Sequence, residues 1–90
     1  MNKAELVDSV AQKVQMTKKD VGMVVDSALE SISEALATGD RVQLTGFGTF
    51  EVREREERRG RNPQTGTEII IPARKAPVFR PGKALKELLQ

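Results

Sequence analysis

Arg58-Arg59-Gly60-Arg61-Asn62-Pro63-Gln64-Thr65-Gly66 is the stretch on which the reading of this chain turns, and it sits within a longer run from Arg53 to Lys75. Two β-prone runs flank a cluster of turn formers. Asn62, Pro63 and Gly66 supply special backbone angles, and Pro63 has no amide to give to a strand ladder. The pattern predicts a hairpin with its tip near residues 62–66. Arg53, Arg55, Arg58, Arg59 and Arg61 lie on the way in, and Arg74 and Lys75 follow Pro72 on the way out. At roughly 3.3 Å per residue, Glu54 to Asn62 reaches roughly 25–30 Å. A hairpin of that length, lined with arginine and tipped by proline, has the makings of an arm that holds something anionic.

The plainer alternative is a solvated hairpin whose arginines only protect an edge from aggregation. Glu54, Glu56 and Glu57 favour it by offsetting part of the charge. Strand alternation weakens it. In a regular pleat Arg53, Arg55, Arg59 and Arg61 share one face, with Glu57 the only acid among them, while Glu54, Glu56, Arg58 and Asn62 take the other. A bulge or strong twist is the route by which Arg58 joins the basic face.

Working outward, the chain of 90 residues fits one domain. Three phenylalanines, without tryptophan or tyrosine, make a small core. If a third of the chain projects as an arm, the remainder cannot bury enough surface alone. With no disulfide or metal to staple it, a tight homodimer is expected. The net charge of +2 hides an asymmetry: residues 1–50 hold five basic and seven acidic side chains, residues 51–90 ten and six. From Arg58 to Lys86, Glu68 is the only acid. Charge so one-sided suggests a polyanionic partner, without separating DNA from RNA or an anionic membrane.

Cysteine and histidine are both missing. Thiol chemistry, the common zinc sites and histidine acid–base catalysis are therefore excluded, and no metal or cofactor is expected. No apolar run approaches a membrane span, and the start Asn2-Lys3-Ala4-Glu5 has no signal-peptide core, so a cytosolic location is expected.

Asn2 with Glu5 three residues on resembles a capping box. Leu6, Val7, Val10, Ala11 and Val14 then repeat at helical spacing, ending a first helix near Val14. Thr17 caps a longer second helix with the stripe Val21, Val24, Val25, Ala28, Leu29, Ile32, Ala35 and Leu36, closed by Gly39. Gly22 costs this helix up to about 1 kcal/mol, and close packing is the one reason the sequence offers for it. The second helix is too long, and too acidic through Asp20, Asp26, Glu30 and Glu34, to read a DNA groove. The pair is a core and dimerisation module.

Arg41 to Thr45 alternates as a strand, Gly46-Phe47-Gly48 turns with Phe47 plugging the core, and Thr49 to Val52 continues with Phe50 and Val52 inward. Ala76 to Pro81 forms a short strand with Val78 and Phe79 as core candidates. Gly82 and Lys83 open a last helix in which Leu85, Leu88 and Leu89 pack down while Lys83 and Lys86 stay wet. The fold class is α+β: a helical hairpin over residues 1–40, a three-stranded antiparallel sheet with a long ribbon arm over 41–82 (the arm about 53–75), and a terminal helix over 83–90. Phe47, Phe50, Phe79, Leu29, Ile32, Leu36 and Leu44 are the expected dimer core.

With Gly46-Phe47-Gly48-Thr49-Phe50, Gly60-Arg61-Asn62-Pro63-Gln64-Thr65-Gly66 and Phe79-Arg80-Pro81-Gly82-Lys83 in view, the chain resembles the bacterial HU family from Met1 to Gln90. These are histone-like DNA-binding proteins related to integration host factor. The resemblance implies an intertwined dimer whose two arms embrace the minor groove, in the cytoplasm and associated with the nucleoid. It implies that Arg53, Arg55, Arg58 and Arg61 meet backbone and groove, that Pro63 wedges between base pairs, and that Asn62 and Gln64 flank it. Gly46 and Phe47 match a saddle turn whose amides approach phosphate. Lys3, Lys18, Arg80, Lys83 and Lys86 stand where saddle or flank contacts fall, and Arg59, Arg74 and Lys75 add to the basic arm. Arg59, Glu56 and Glu57 depart from the usual pattern of such arms.

The expected partner is double-stranded DNA, bound with little sequence specificity because minor-groove edges discriminate poorly, and with bent, nicked or junction DNA preferred because a wedge has less unstacking to do there. An RNA-binding module is the alternative, disfavoured by the lack of aromatic stacking residues on the arm. Pairing with a paralogous chain, as in integration host factor, is a further one. A protein-interaction module using the arm for strand addition is a third class, and no enzyme is expected, because no paired acids sit near a plausible pocket.

Overall fold

The computed structural model describes Met1 to Gln90, and its element order is α1 (Lys3–Val14), α2 (Lys18–Ala37), β1 (Val42–Leu44), β2 (Gly48–Arg55), β3 (Arg58–Arg61), β4 (Glu68–Ile71), β5 (Arg74–Pro81) and α3 (Lys83–Leu88). The chain forms two compact units, Met1–Glu34 and Ala35–Gln90.

In the first unit both helix starts are fixed by the side chains the sequence singles out. Asn2 Oδ1 accepts the Glu5 amide at 2.9 Å, and Thr17 Oγ1 accepts the Asp20 amide at 3.2 Å. Each satisfies one donor that the first helical turn leaves orphaned, a gain of about 1 kcal/mol. α1 stops because Gln15 turns left-handed at φ 57°, its amide bonding back to Ala11. Val7, Ala11 and Val21 are buried, with Val10 and Val25 packed against them. At about 1.5–3 kcal/mol for a fully buried valine, three small side chains cannot offset an ordering cost of about 1–2 kcal/mol per residue. Val24, Leu29, Met16 and Met23 remain exposed. For Gly22, a Cβ would meet no heavy atom within 4 Å, so the close packing expected there is not found within the chain.

The second unit is built on a sheet of order β1-β2-β5, all antiparallel. The register pairs Val42 with Phe50, Leu44 with Gly48 and Phe50 with Phe79, so these side chains share one face with Val52. The Phe79 ring lies 4.8 Å from that of Phe50 and 5.5 Å from that of Phe47, both tilted, within the favourable range for aromatic pairs. Gly48 is where the chain can have no side chain. A Cβ there would lie 2.5 Å from Phe79 Cζ and 2.7 Å from the Arg80 carbonyl.

Three expectations need correction. Within one chain Phe47 is 48% exposed and covers Phe79 without closing a core around itself. Leu88 and Leu89 are 79% and 83% exposed, so within one chain the last helix packs through Leu85 alone of its three leucines. The strand expected from Ala76 begins at Arg74, because β2 runs far enough to pair with it.

Candidate nucleic-acid interface

The face of β2 and β5 opposite the phenylalanines carries Thr49, Glu51, Arg53 and Arg55 on one strand and Arg74, Ala76, Val78 and Arg80 on the other. Four arginines thus share it with a single acid. Arg53, Arg55 and Arg74 are exposed and enter no ion pair, while Arg80 Nε lies 2.6 Å from Glu51 Oε1. On the apolar side, Glu54 stands directly opposite Lys75 and pairs with it at 3.5 Å.

The arm is not one continuous ribbon. β2 ends at Arg55 and β3 begins at Arg58, while β4 ends at Ile71 and β5 begins at Arg74. Glu56 and Glu57 fall in the gap on one strand, Pro72 and Ala73 on the other. Pro72 explains the break physically, since it has no amide to bond across. Two residues are skipped on each side, so Arg55 opposes Arg74, Arg58 opposes Ile71, and no bulge enters. Glu57 therefore lies in the gap, outside the hydrogen-bonded ladders that carry the arginines on either side.

In the outer ribbon Arg58 opposes Ile71, Arg59 opposes Ile70, Gly60 opposes Ile69 and Arg61 opposes Glu68. A Cβ on Gly60 would meet Ile71 at 3.5 Å and Ile69 at 3.6 Å, which fixes Arg58, Gly60, Ile69 and Ile71 on one face. Arg59, Arg61, Glu68 and the 63% exposed Ile70 take the other, where Arg59 reaches Glu68 at 3.7 Å. With no bulge to turn it, Arg58 stays on the isoleucine face.

The tip spans Asn62 to Thr67. The Asn62 amide bonds to the Thr67 carbonyl at 2.8 Å and the Gly66 amide to the Asn62 carbonyl at 2.7 Å. Gly66 takes φ +71°, a conformation that suits glycine. Asn62 Oδ1 accepts the Gln64 amide at 2.9 Å, a local turn of the kind asparagine favours. Asn62 is half-buried and its oxygen is spent on the loop, whereas Pro63 and Gln64 are exposed at the apex. Thr65 and Thr67, which the sequence gives no reason to single out, join their hydroxyls at 3.0 Å and brace the far side.

The remaining candidates lie elsewhere. Lys3 pairs with Asp26 at 2.6 Å and Lys18 with Asp8 at 3.4 Å in the first unit. Lys83 pairs with Glu87 at 3.8 Å on α3, and Lys86 is exposed with no ion pair. These are solvent-exposed pairs of about 0–1 kcal/mol, which a phosphate can displace. The Phe47 amide donates to the Leu44 carbonyl at 2.9 Å and the Phe47 carbonyl accepts from Gly82 at 2.8 Å. The turn amide expected to approach phosphate is therefore already used at Phe47. Glu51, half-buried at the foot of Arg80, is the residue at this surface that sequence reasoning passes over.

A family model described as bacterial DNA-binding protein matches residues 1–90. The DNA-binding protein HU of Staphylococcus aureus is 57% identical over 90 residues, the full length of both chains. DNA-binding protein HU 1 of Bacillus subtilis is 59% identical over 87 residues, covering 97% of this chain and 95% of that one. Among solved structures, an Anabaena HU–DNA cocrystal superposes with TM-score 0.89 at 52% identity, covering 99% and 97% of the two chains. Fold and surface together define a histone-like, architectural DNA-binding protein. The chain belongs to the family of bacterial DNA-binding proteins that includes HU. No helix is long and apolar enough to cross a membrane.

Proposed function

We propose that two copies of this chain, each working as a single domain, clasp duplex DNA and hold it bent. The arginine faces neutralise phosphate and the two Pro63 tips open base steps from the minor groove. One observation carries the reading: a row of exposed, unpaired arginines leads along one sheet face to a ribbon whose apex is an exposed proline. Arginine suits the walls because its planar fork grips phosphate and fits a narrow, electronegative groove. Proline suits the apex because a wedge needs neither charge nor a free amide. Unstacking costs a few kcal/mol per step, a magnitude set by minor-groove architectural proteins that include HU itself, and the bent duplex then touches more basic surface.

The homodimer is supported by what one chain leaves uncovered. Leu29, Leu44, Phe47 and Phe79 are all at least 38% exposed, and Ile32, Leu36 and Phe50 are only half-buried. Large side chains in this state need a second copy to cover them. An intertwined dimer is consistent with the HU structures that the chain matches. The protein does no chemistry of its own in this role and acts in the cytoplasm, on the nucleoid.

The test is a gel shift of the purified chain on intact, nicked and four-way-junction DNA with structured RNA as competitor, beside its mass in solution. A dimeric mass and tighter binding to nicked and junction DNA than to intact duplex are expected. RNA that competes as well as DNA, or equal affinity for all three DNA forms, would contradict the proposal.

A further inference from the structure

An acid on a face that meets phosphate is out of place on electrostatic grounds. Glu51 is the only one on the β2–β5 face, among Arg53, Arg55, Arg74 and Arg80. Its contact explains why it is there. Thr49 opposes Arg80 and Glu51 opposes Val78, so Glu51 and Arg80 are diagonal neighbours on one face, within reach of long side chains. The ion pair is 2.6 Å, and the Glu51 side chain is 21% exposed, whereas both partners of the other five pairs are at least 48% exposed. The carboxylate is thus a fixed post rather than a mobile surface acid. It approaches Arg80 through Nε, the inner nitrogen. The contact is an ion pair, and no nitrogen of the Arg80 guanidinium makes a hydrogen bond within the chain, so the terminal pair that takes a phosphate fork-on is free.

We infer that Glu51 is a positioning residue: it anchors the inner nitrogen of Arg80 and so presents the outer fork, already ordered, to a DNA phosphate. A free arginine carries large rotamer entropy that binding must remove, and a buttress removes part of it beforehand. The cost is one negative charge near the phosphate. The inference rests on the reading of Arg80 as a phosphate contact.

The experiment measures DNA affinity and its salt dependence for Glu51→Ala, Glu51→Gln, Arg80→Ala and the double variant Glu51→Ala/Arg80→Ala, with melting curves as a check on folding. Glu51→Ala is expected to weaken binding by roughly two- to tenfold per contact, the range spanned by immobilising one long side chain. Glu51→Gln, which keeps the side chain's shape without its charge, restores only part of that loss. In the Arg80→Ala background Glu51→Ala has no further effect. Tighter or unchanged binding by Glu51→Ala overturns the inference, because Glu51 would then be a competitor of phosphate or a bystander. A full Glu51→Ala loss that persists without Arg80 also overturns it. If Arg80→Ala changes neither affinity nor salt dependence, the phosphate contact and this inference fall together, while DNA binding by the wild-type chain still stands.

Discussion

Replacing Gly48 by alanine adds one methyl group where the sheet has no room for it. Its Cβ would sit 2.5 Å from Phe79 Cζ, 2.6 Å from Phe79 Cε1 and 2.7 Å from the Arg80 carbonyl oxygen. The ring could swing aside, but it is flanked by Phe50 at 4.8 Å and Phe47 at 5.5 Å. The carbonyl cannot turn without breaking the β2–β5 ladder next to Gly48–Pro81 and Thr49–Arg80. Overpacking of this kind costs about 1–3 kcal/mol. For a domain of this size each kcal/mol is worth about 4–8 °C, so the melting temperature falls by about 4–24 °C. Circular-dichroism melts at two protein concentrations measure it, with Gly22→Ala as the control. That position has nothing within 4 Å and lies in a helix, so alanine should stabilise there by up to about 1 kcal/mol. A Gly48→Ala protein that melts with the wild type would refute the packing argument. A destabilised Gly22→Ala would show that a second copy packs against that helix face.

Two further outcomes follow from the same geometry. Phe79→Ala removes the ring that both other phenylalanines touch, a loss of about 3–5 kcal/mol, and should make the melting temperature fall steeply with dilution; a folded monomer insensitive to concentration would contradict the dimer. Limited trypsin digestion should cut first after Arg58, Arg59 or Arg61, because a two-stranded ribbon is marginally stable and all three side chains are exposed; cleavage at equal rates with and without DNA would mean the arm does not hold it.

How legible the molecule was in its sequence depends on how local each feature is. The caps at Asn2 and Thr17 and the tip at Asn62–Gly66 are set by neighbours a few residues away, so residue type and spacing were enough. The break in the arm was half legible. Pro72 is plain in the sequence, but that it stands across from Glu57 follows only from the β2–β5 register. The break takes Glu57 out of the ladder, and the β3–β4 pairing leaves Arg58 with the isoleucines. Glu51 gives no signal in the sequence because its partner, Arg80, is far along the chain and becomes a neighbour only when β5 lies against β2. Phe47, Leu88 and Leu89 read as packed because they are apolar. A single chain leaves them open, as the expectation of a second copy requires.

The central claim is that the arm does two separate things: its arginines hold phosphate and its proline bends the duplex. The most direct test is a salt titration of Arg61→Ala and Pro63→Ala on intact and nicked duplexes of one sequence, with end-to-end fluorescence transfer reporting the bend. Arg61 is exposed and enters no ion pair, so its loss should reduce the slope of log affinity against log salt by about one unit per contact, or about two in a homodimer. Pro63→Ala should leave that slope nearly unchanged, and should weaken binding and bending on intact DNA more than on nicked DNA, where the step is already open. Intact DNA bent by Pro63→Ala as fully as by the wild type, or a salt slope untouched by Arg61→Ala, would contradict it.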